Sequence, residues 1–182
     1  MDMTRSVLLA LVSMLCALPA AAVEVGDLAP DFSLAASDGK TYHLADFKGR
    51  QAVVLAWYPK AYTSGCTIEC KSLAEHGDLI KRFDVTYFMA SVDDLDKNVA
   101  FAKDEKADFP LLSDPDKAVA KAFGVLHLLG FAIRQTFYIG QDGRILAIDR
   151  SVKPATAAQD IAAQLAKLDV PLRASTAPAA TQ

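Results

Sequence analysis

The residues of this chain that can do chemistry are two cysteines, Cys66 and Cys70, which stand four residues apart. A cysteine reacts as its thiolate, and a thiolate is stabilised at the N-terminus of a helix, where backbone N–H groups lack intrahelical acceptors. Cys66 follows an apolar run at 51–57 and the loop Pro59–Gly65, and it opens a segment with a helical spacing of apolar residues. The sequence therefore predicts that Cys66 is a nucleophile at the start of a helix.

The elements that must position Cys66 alternate between strands and helices. Apolar periodicity and turn residues predict a hairpin, then strand, helix, strand and helix, a short extended segment, a short helix, a second hairpin and a last helix. The corresponding residues are 31–35 with 41–44, 51–57, 66–83, 85–92, 93–107, 109–112, 116–123, 134–140 with 145–149, and 156–168. Thr63 or Ser64 is expected to cap the helix of Cys66, and Asp93 with Asp94 to cap the next helix.

This order of elements predicts the fold class. A strand–helix–strand unit followed by a hairpin and a helix is the arrangement of the thioredoxin fold. We therefore expect an α/β chain with a mixed central sheet, helices on both faces of the sheet, and an N-terminal β-hairpin. Fold class alone does not determine the chemistry.

The loop before Cys66 also carries a resemblance to a known family. Residues 58–67, Tyr-Pro-Lys-Ala-Tyr-Thr-Ser-Gly-Cys-Thr, resemble the active-site loop of peroxiredoxins, most closely that of the Q-type or bacterioferritin-comigratory subfamily. Three further stretches are similar to that family in the expected order, 90–93, 109–114 and 134–137. The resemblance covers roughly 25–168.

The resemblance implies a thiol-dependent peroxidase and assigns a role to each matching residue. By it, Cys66 would be the peroxidatic cysteine, Thr63 would hydrogen-bond the peroxide and the thiolate, and Pro59 would shield the site. Arg134 would stabilise the negative charge that develops on the leaving oxygen. Glu69, one helical turn from Cys66, would orient Arg134. Hydrogen peroxide is the implied substrate, and the apolar segment at 126–132 indicates organic hydroperoxides as well.

Cys70 departs from the pattern of that family. Q-type relatives with a second cysteine in this helix usually carry it five residues on, whereas Cys70 follows Cys66 by four. Residues four apart share a helix face, but an intact helix does not readily provide the dihedral angles of a disulfide. We expect Cys70 to resolve oxidised Cys66 through an intrachain disulfide formed with local unwinding. An intermolecular or external-thiol route is the alternative.

Two other functions share part of this pattern. A Cys-x-x-x-Cys pair on a thioredoxin fold is also the arrangement of Sco-type copper chaperones, for which His127 is the nearby candidate ligand. Those chaperones place a histidine in the stretch where this chain has Arg134, and a cation there would repel a metal ion. A thioredoxin-like disulfide reductase would have only two residues between its cysteines. The sequence therefore favours the peroxidase.

The first 22 residues predict export. An apolar run at 7–18, which contains Cys16, is followed by Pro19 and three alanines, the small residues that signal peptidase needs. The run is shorter than the ~20 residues of a membrane span, so we expect cleavage near Ala22 and a periplasmic or secreted location. The expected domains are a signal peptide at 1–22, a thioredoxin-fold peroxiredoxin domain at 23–170, and a disordered tail at 171–182.

Length and charge limit the possible partners. A chain of 182 residues accommodates one domain rather than two. Its net charge of −3 and the lack of a basic stripe argue against nucleic-acid binding. The expected partners are a peroxide substrate and a thioredoxin-like or other dithiol reductant, with no cofactor, no metal and no stable membrane association. The resemblance implies a monomer or a weak homodimer.

Overall fold

The computed structural model describes residues 23–174, so the predicted signal peptide lies outside the described residues. The strands are β1 (Ser33–Ala36), β2 (Thr41–His43), β3 (Ala52–Trp57), β4 (Val85–Ser91), β5 (Leu111–Ser113), β6 (Gln135–Ile139) and β7 (Ile145–Asp149). The helices are α1 (Ser64–His76), α2 (Asp78–Lys81), α3 (Leu95–Asp104), α4 (Ala118–Ala122) and α5 (Ala157–Lys167), with short 3₁₀ turns at Leu44–Phe47 and Pro154–Thr156. No helix within 23–174 is long and apolar enough to cross a membrane.

The strands form one mixed sheet of seven strands in the order β2-β1-β5-β4-β3-β6-β7. The central strands β3, β4 and β5 run parallel, as expected for strands joined by the crossover helices α1 and α3. The pairs β1–β2, β1–β5, β3–β6 and β6–β7 are antiparallel. The predicted mixed sheet and N-terminal hairpin are therefore confirmed.

Strand β3 lies near the centre of the sheet and contributes to both halves of the core. All of its residues are buried, and successive side chains point to opposite faces of the sheet. Val54 and Ala56 pack in the core half that contains residues of α1, α2, α3 and α5. Leu55 and Trp57 pack in the half that contains residues of α4. Burial on both faces explains why this strand is a continuous apolar run.

The structure corrects one predicted helix. The segment expected as a single helix at 66–83 forms α1 and α2, which are separated at Gly77. A Cβ atom at Gly77 would overlap the hydroxyl of Tyr87 and would lie 2.6 Å from the carbonyl oxygen of Leu73. Only glycine fits this close approach, and glycine also weakens a helix interior. Periodicity alone did not reveal the interruption.

The first residues of the predicted C-terminal tail, 171–174, are among the described residues. The structure places residues 171–174 against the segment before β4, where Leu172 forms an antiparallel bridge with Phe83. The N–H of Asp84 donates a hydrogen bond to the carbonyl oxygen of Pro171 at 2.7 Å. Backbone pairing therefore extends the ordered domain past residue 170, and the rest of the predicted tail lies outside the described residues.

Candidate active site

Cys66 lies in the first turn of α1, after the loop that leaves the carboxyl end of β3. Thr63 occupies the N-cap position, and Cys66 is the third residue of the helix. The N–H groups of a first helical turn have no intrahelical acceptors, and the helix dipole is positive at this end. The predicted placement of Cys66 at the start of a helix is therefore confirmed, and its sulfur lies at the positive end of the helix dipole.

Arg134 reaches Cys66 because β6 pairs with β3. In the antiparallel register of these strands, Trp57 lies opposite Gln135. The residue just before β6 is therefore brought to the end of β3 at which the loop to Cys66 begins. Nη2 of Arg134 donates a hydrogen bond to Sγ of Cys66 over 3.2 Å. The structure thus brings together the cysteine and the arginine that the sequence analysis paired.

Glu69 holds the other side of the same guanidinium. Its carboxylate forms an ion pair with Nη1 of Arg134, and the two side chains are only 1% and 18% exposed. A buried ion that loses its partner destabilises a protein strongly, so each charge keeps the other in place. Arg134 therefore directs one nitrogen to Glu69 and the other to Cys66, and the orienting role of Glu69 in the reaction stays a prediction.

The loop residues Pro59 and Thr63 make no hydrogen bond to Cys66 in the described part of the chain. The Thr63 side chain is exposed, and its hydroxyl donates a hydrogen bond to the carbonyl oxygen of Lys60 at 2.9 Å. Thr63 therefore does not make the expected side-chain cap of α1, although it stands at the N-cap position. Pro59 is half-buried in the same loop. The roles of these two residues toward peroxide stay predictions.

Cys70 lies one turn after Cys66 and is completely buried. Both thiols are free. Burial raises the pKa of the Cys70 thiol to about 12, and the negative charges of Glu105 and Cys66 act in the same direction. Cys70 is therefore a protonated thiol at neutral pH, and its position in an intact helix does not favour a disulfide.

The positions of the candidate ligands among the described residues do not favour copper binding. Among residues 23–174, no three His, Cys, Asp or Glu side chains form a group that could hold a metal ion. The ring of His127 stacks on Phe131 with centroids 4.5 Å apart, and its Nδ1 accepts a hydrogen bond from the N–H of Leu129 at 3.1 Å. The guanidinium of Arg134 against the Cys66 sulfur would also repel a metal cation.

Comparison with known proteins identifies the family. The sequence pattern of the AhpC/TSA family matches residues 25–148. The chain belongs to this family. Peroxiredoxin Bcp of Escherichia coli is 38% identical over 130 residues, which cover 68% of this chain and 83% of that protein. Peroxiredoxin Bcp of Bacillus subtilis is 33% identical over 139 residues, covering 72% of this chain and 87% of that protein.

Solved structures of this family share the fold. Peroxidoxin BcpB from Mycobacterium tuberculosis has a TM-score of 0.69 at 34% identity, covering 79% of this chain and 95% of that one. A PrxQ mutant from Xylella fastidiosa has a TM-score of 0.73 at 27% identity, covering 81% of this chain and 98% of that one. The thioredoxin fold predicted from the sequence is therefore confirmed.

Two polar residues near Cys66 were given no role at the site by the sequence. Asp93 was expected to cap α3, but its carboxylate accepts a hydrogen bond from the N–H of Ala61 in the loop before Cys66, at 2.8 Å. Asn98 is completely buried in α3. A signal for Asn98 existed in the sequence, because it shares the apolar stripe of the helix with Phe101 and Ala102. A polar side chain on such a stripe needs buried hydrogen-bond partners.

Gly65 was also missed, and it provides a test of the arginine contact. A Cβ atom at Gly65 would lie 3.2 Å from Nη2 of Arg134, the atom that contacts Cys66. Gly65→Ala should leave the free energy of unfolding unchanged or raise it by about 0.5–1 kcal/mol, because alanine favours a helix. The displaced guanidinium should slow oxidation of Cys66 by hydrogen peroxide about tenfold. Chemical denaturation and stopped-flow kinetics measure the two effects separately.

The matched control for this prediction is Ser64→Ala. Ser64 precedes Gly65 in the first turn of α1 and its side chain is exposed. This variant should keep the oxidation rate of the unmodified protein. If Gly65→Ala oxidises as fast as the unmodified protein, the reaction with peroxide does not require Arg134 in its observed position.

Proposed function

We propose that Cys66 is the peroxidatic cysteine of this chain, which is a thiol-dependent peroxidase. The observation that carries the proposal is the contact of Nη2 of Arg134 with Sγ of Cys66 at 3.2 Å in the first turn of a helix. A fixed cation beside a thiol favours the thiolate, which is the nucleophile in thiol chemistry. An arginine supplies this charge without titrating at physiological pH.

The reaction follows from these groups. The thiolate sulfur of Cys66 attacks one oxygen of the peroxide, so that an S–O bond forms as the O–O bond breaks. The other oxygen leaves with the electron pair and takes up a proton, giving water or an alcohol, and Cys66 becomes a sulfenic acid. Donors fixed near the leaving oxygen stabilise the charge that develops there, which lowers the barrier. Arg134 and the first-turn N–H groups of α1 are the donors available for this role.

The second step in our proposal is attack on the Cys66 sulfenic acid by Cys70. The sulfur of Cys70 forms the S–S bond, and the sulfenic oxygen leaves as water. Cys70 is buried and protonated within α1, so the first turn of the helix must unwind before this step. A thioredoxin-like or other dithiol reductant then reduces the disulfide and restores both thiols. We further propose that the enzyme acts as a monomer or a weak homodimer.

We propose hydrogen peroxide and organic hydroperoxides as substrates. Support for organic substrates comes from apolar side chains that precede Arg134, since Leu128 and Leu129 are almost fully exposed and Ile133 is partly exposed. The bacterioferritin comigratory protein of Xanthomonas campestris, which is 26% identical to this chain, is described as having alkyl peroxide reduction activity. The copper-chaperone and disulfide-reductase alternatives are not favoured, because the chain belongs to the AhpC/TSA family.

The decisive test of the peroxidase assignment separates the two cysteines. Reduced unmodified protein, Cys66→Ser and Cys70→Ser are mixed with hydrogen peroxide in a stopped-flow instrument, and peroxide consumption in the first turnover is followed. The unmodified protein and Cys70→Ser should consume peroxide at similar rates, whereas Cys66→Ser should lose the fast phase completely. Fast consumption by Cys66→Ser would overturn the proposal.

The resolving role of Cys70 has its own test. Trypsin cleaves after Lys60 and Lys71, so that one peptide contains both cysteines. After one equivalent of peroxide and blocking of free thiols, this peptide should have lost two hydrogen atoms relative to its reduced mass. Cys70→Ser should instead accumulate sulfenic or sulfinic acid at Cys66. A disulfide between two chains, or no disulfide in the unmodified protein, would contradict the intrachain route.

We also propose that the protein is exported and acts in the periplasm or outside the cell. The support is the apolar run at 7–18 followed by small residues up to Ala22. Expression of the full chain should yield a mature form in the periplasmic or medium fraction that begins at or near Val23, as determined by N-terminal sequencing. Replacing Ala20 and Ala22 by arginine should retain the precursor. Recovery of the intact chain from the cytoplasm alone would contradict export.

A further inference from the structure

Two of the stretches that carry the family resemblance, 90–93 and 109–114, have no part in the reaction described above. The structure brings both to the edge of the sheet that carries the active site. Strands β4 and β5 are parallel neighbours, and Ser91 lies opposite Ser113 at their carboxyl ends. The Tyr58 N–H, at the start of the Cys66 loop, donates to the carbonyl oxygen of Ala90 at 2.9 Å.

Asn98 joins these stretches beneath the loop. Its Nδ2 donates hydrogen bonds to Oγ of Ser113 at 2.8 Å and to the carbonyl oxygen of Leu112 at 3.1 Å. Its Oδ1 accepts a hydrogen bond from the Tyr58 hydroxyl at 2.6 Å. Asn98 and Tyr58 are fully buried, and a buried network in which each group has a partner holds its members in one arrangement. The residue directly before Pro59 is therefore fixed to α3 and β5.

Asp93 fixes the loop at a second point. Its carboxylate accepts a hydrogen bond from the Ala61 N–H at 2.8 Å through Oδ2, and from Nζ of Lys97 at 2.6 Å through Oδ1. Its side chain is only 9% exposed. Hydrogen bonds to an ionised acceptor are stronger than neutral ones, and Ala61 is itself buried. The loop between Pro59 and Thr63 is therefore tied at its centre to the end of β4.

We propose that Asp93 is a positioning residue of the peroxidase reaction. This inference rests on the proposed function of Cys66. Asp93 acts through Ala61, which lies between Pro59 and Thr63, and so sets where these residues and the N-terminus of α1 stand relative to the Cys66 sulfur. Without the carboxylate the Ala61 N–H loses its acceptor, and the loop relaxes to reach water. Peroxide attack needs the sulfur, the peroxide and the donors to be aligned, so a small loop displacement slows it.

The test compares three substitutions in the reduced protein. Asp93→Ala removes the acceptor and should lower the rate constant for oxidation of Cys66 by hydrogen peroxide about tenfold. Asp93→Asn retains an oxygen that can accept from Ala61, and it should restore the rate to within about threefold of the unmodified protein. Asp94→Ala is the matched control, because Asp94 is an exposed carboxylate that makes no side-chain cap, and it should leave the rate unchanged.

A second measurement separates positioning from general damage. Alkylation of the Cys66 thiolate by iodoacetamide needs no alignment of a peroxide with Thr63 or Arg134. If Asp93 positions the loop, Asp93→Ala should lose peroxide reactivity while its alkylation rate changes less than twofold. Equal losses in the two rates, an unchanged peroxide rate in Asp93→Ala, or an Asp93→Asn variant as slow as Asp93→Ala would each overturn the inference. None of these results would affect the cysteine assignment, which fails only if Cys66→Ser retains fast peroxide consumption.

Discussion

One guanidinium joins the two acidic groups of this site, with Nη1 of Arg134 paired to Glu69 and Nη2 donating to Cys66. Glu69 is almost completely buried, so it cannot exchange its partner for water without a large desolvation cost. The ion pair therefore fixes the guanidinium, and the guanidinium in turn presents a constant positive charge to the sulfur. In the proposed reaction the thiolate passes its electron pair to a peroxide and the negative charge moves to the leaving oxygen, while the same cation remains beside the reacting atoms.

The fold keeps the side chains of Cys66, Glu69 and Arg134 together. Cys66 and Glu69 are one turn apart on α1, so the helix itself sets their separation. Arg134 follows Cys66 by 68 positions in the sequence, and the antiparallel pairing of β6 with β3 brings it to the same place. A slip of one residue in that register would turn Arg134 to the opposite face of the sheet. The apolar packing on both faces of β3, which opposes such a slip, therefore also protects the chemistry.

Local pattern was enough to predict part of this arrangement. A buried strand, a loop and a helix start are all encoded near Cys66, and the spacing of Glu69 on the helix is a local property. The proximity of Arg134 depends on the pairing of distant strands, which periodicity does not reveal, so that only the family resemblance supplied it. For Asp93 the local pattern was misleading. Its context predicts a helix cap, but its carboxylate accepts a hydrogen bond from the Ala61 N–H in another loop. Tertiary contacts decided between two partners that the sequence offers equally.

The two proposed steps need different states of α1, because oxidation of Cys66 needs the intact helix and a Cys66–Cys70 disulfide needs it partly unwound. The intact helix aligns Cys66 with Arg134 for oxidation, yet it buries Cys70 as a protonated thiol and denies the pair a disulfide geometry. In the proposed resolving step, unwinding of the first turn alone is sufficient, because Cys66 lies in that turn whereas Glu69 lies in the next. Release of Cys66 would then leave the Glu69–Arg134 ion pair in place. After reduction, the first turn could re-form with Cys66 beside a guanidinium that had stayed in position. In the proposed mechanism the four-residue spacing of Cys66 and Cys70 keeps both sulfurs on one face of α1, so the unwinding that the disulfide needs is confined to the start of the helix.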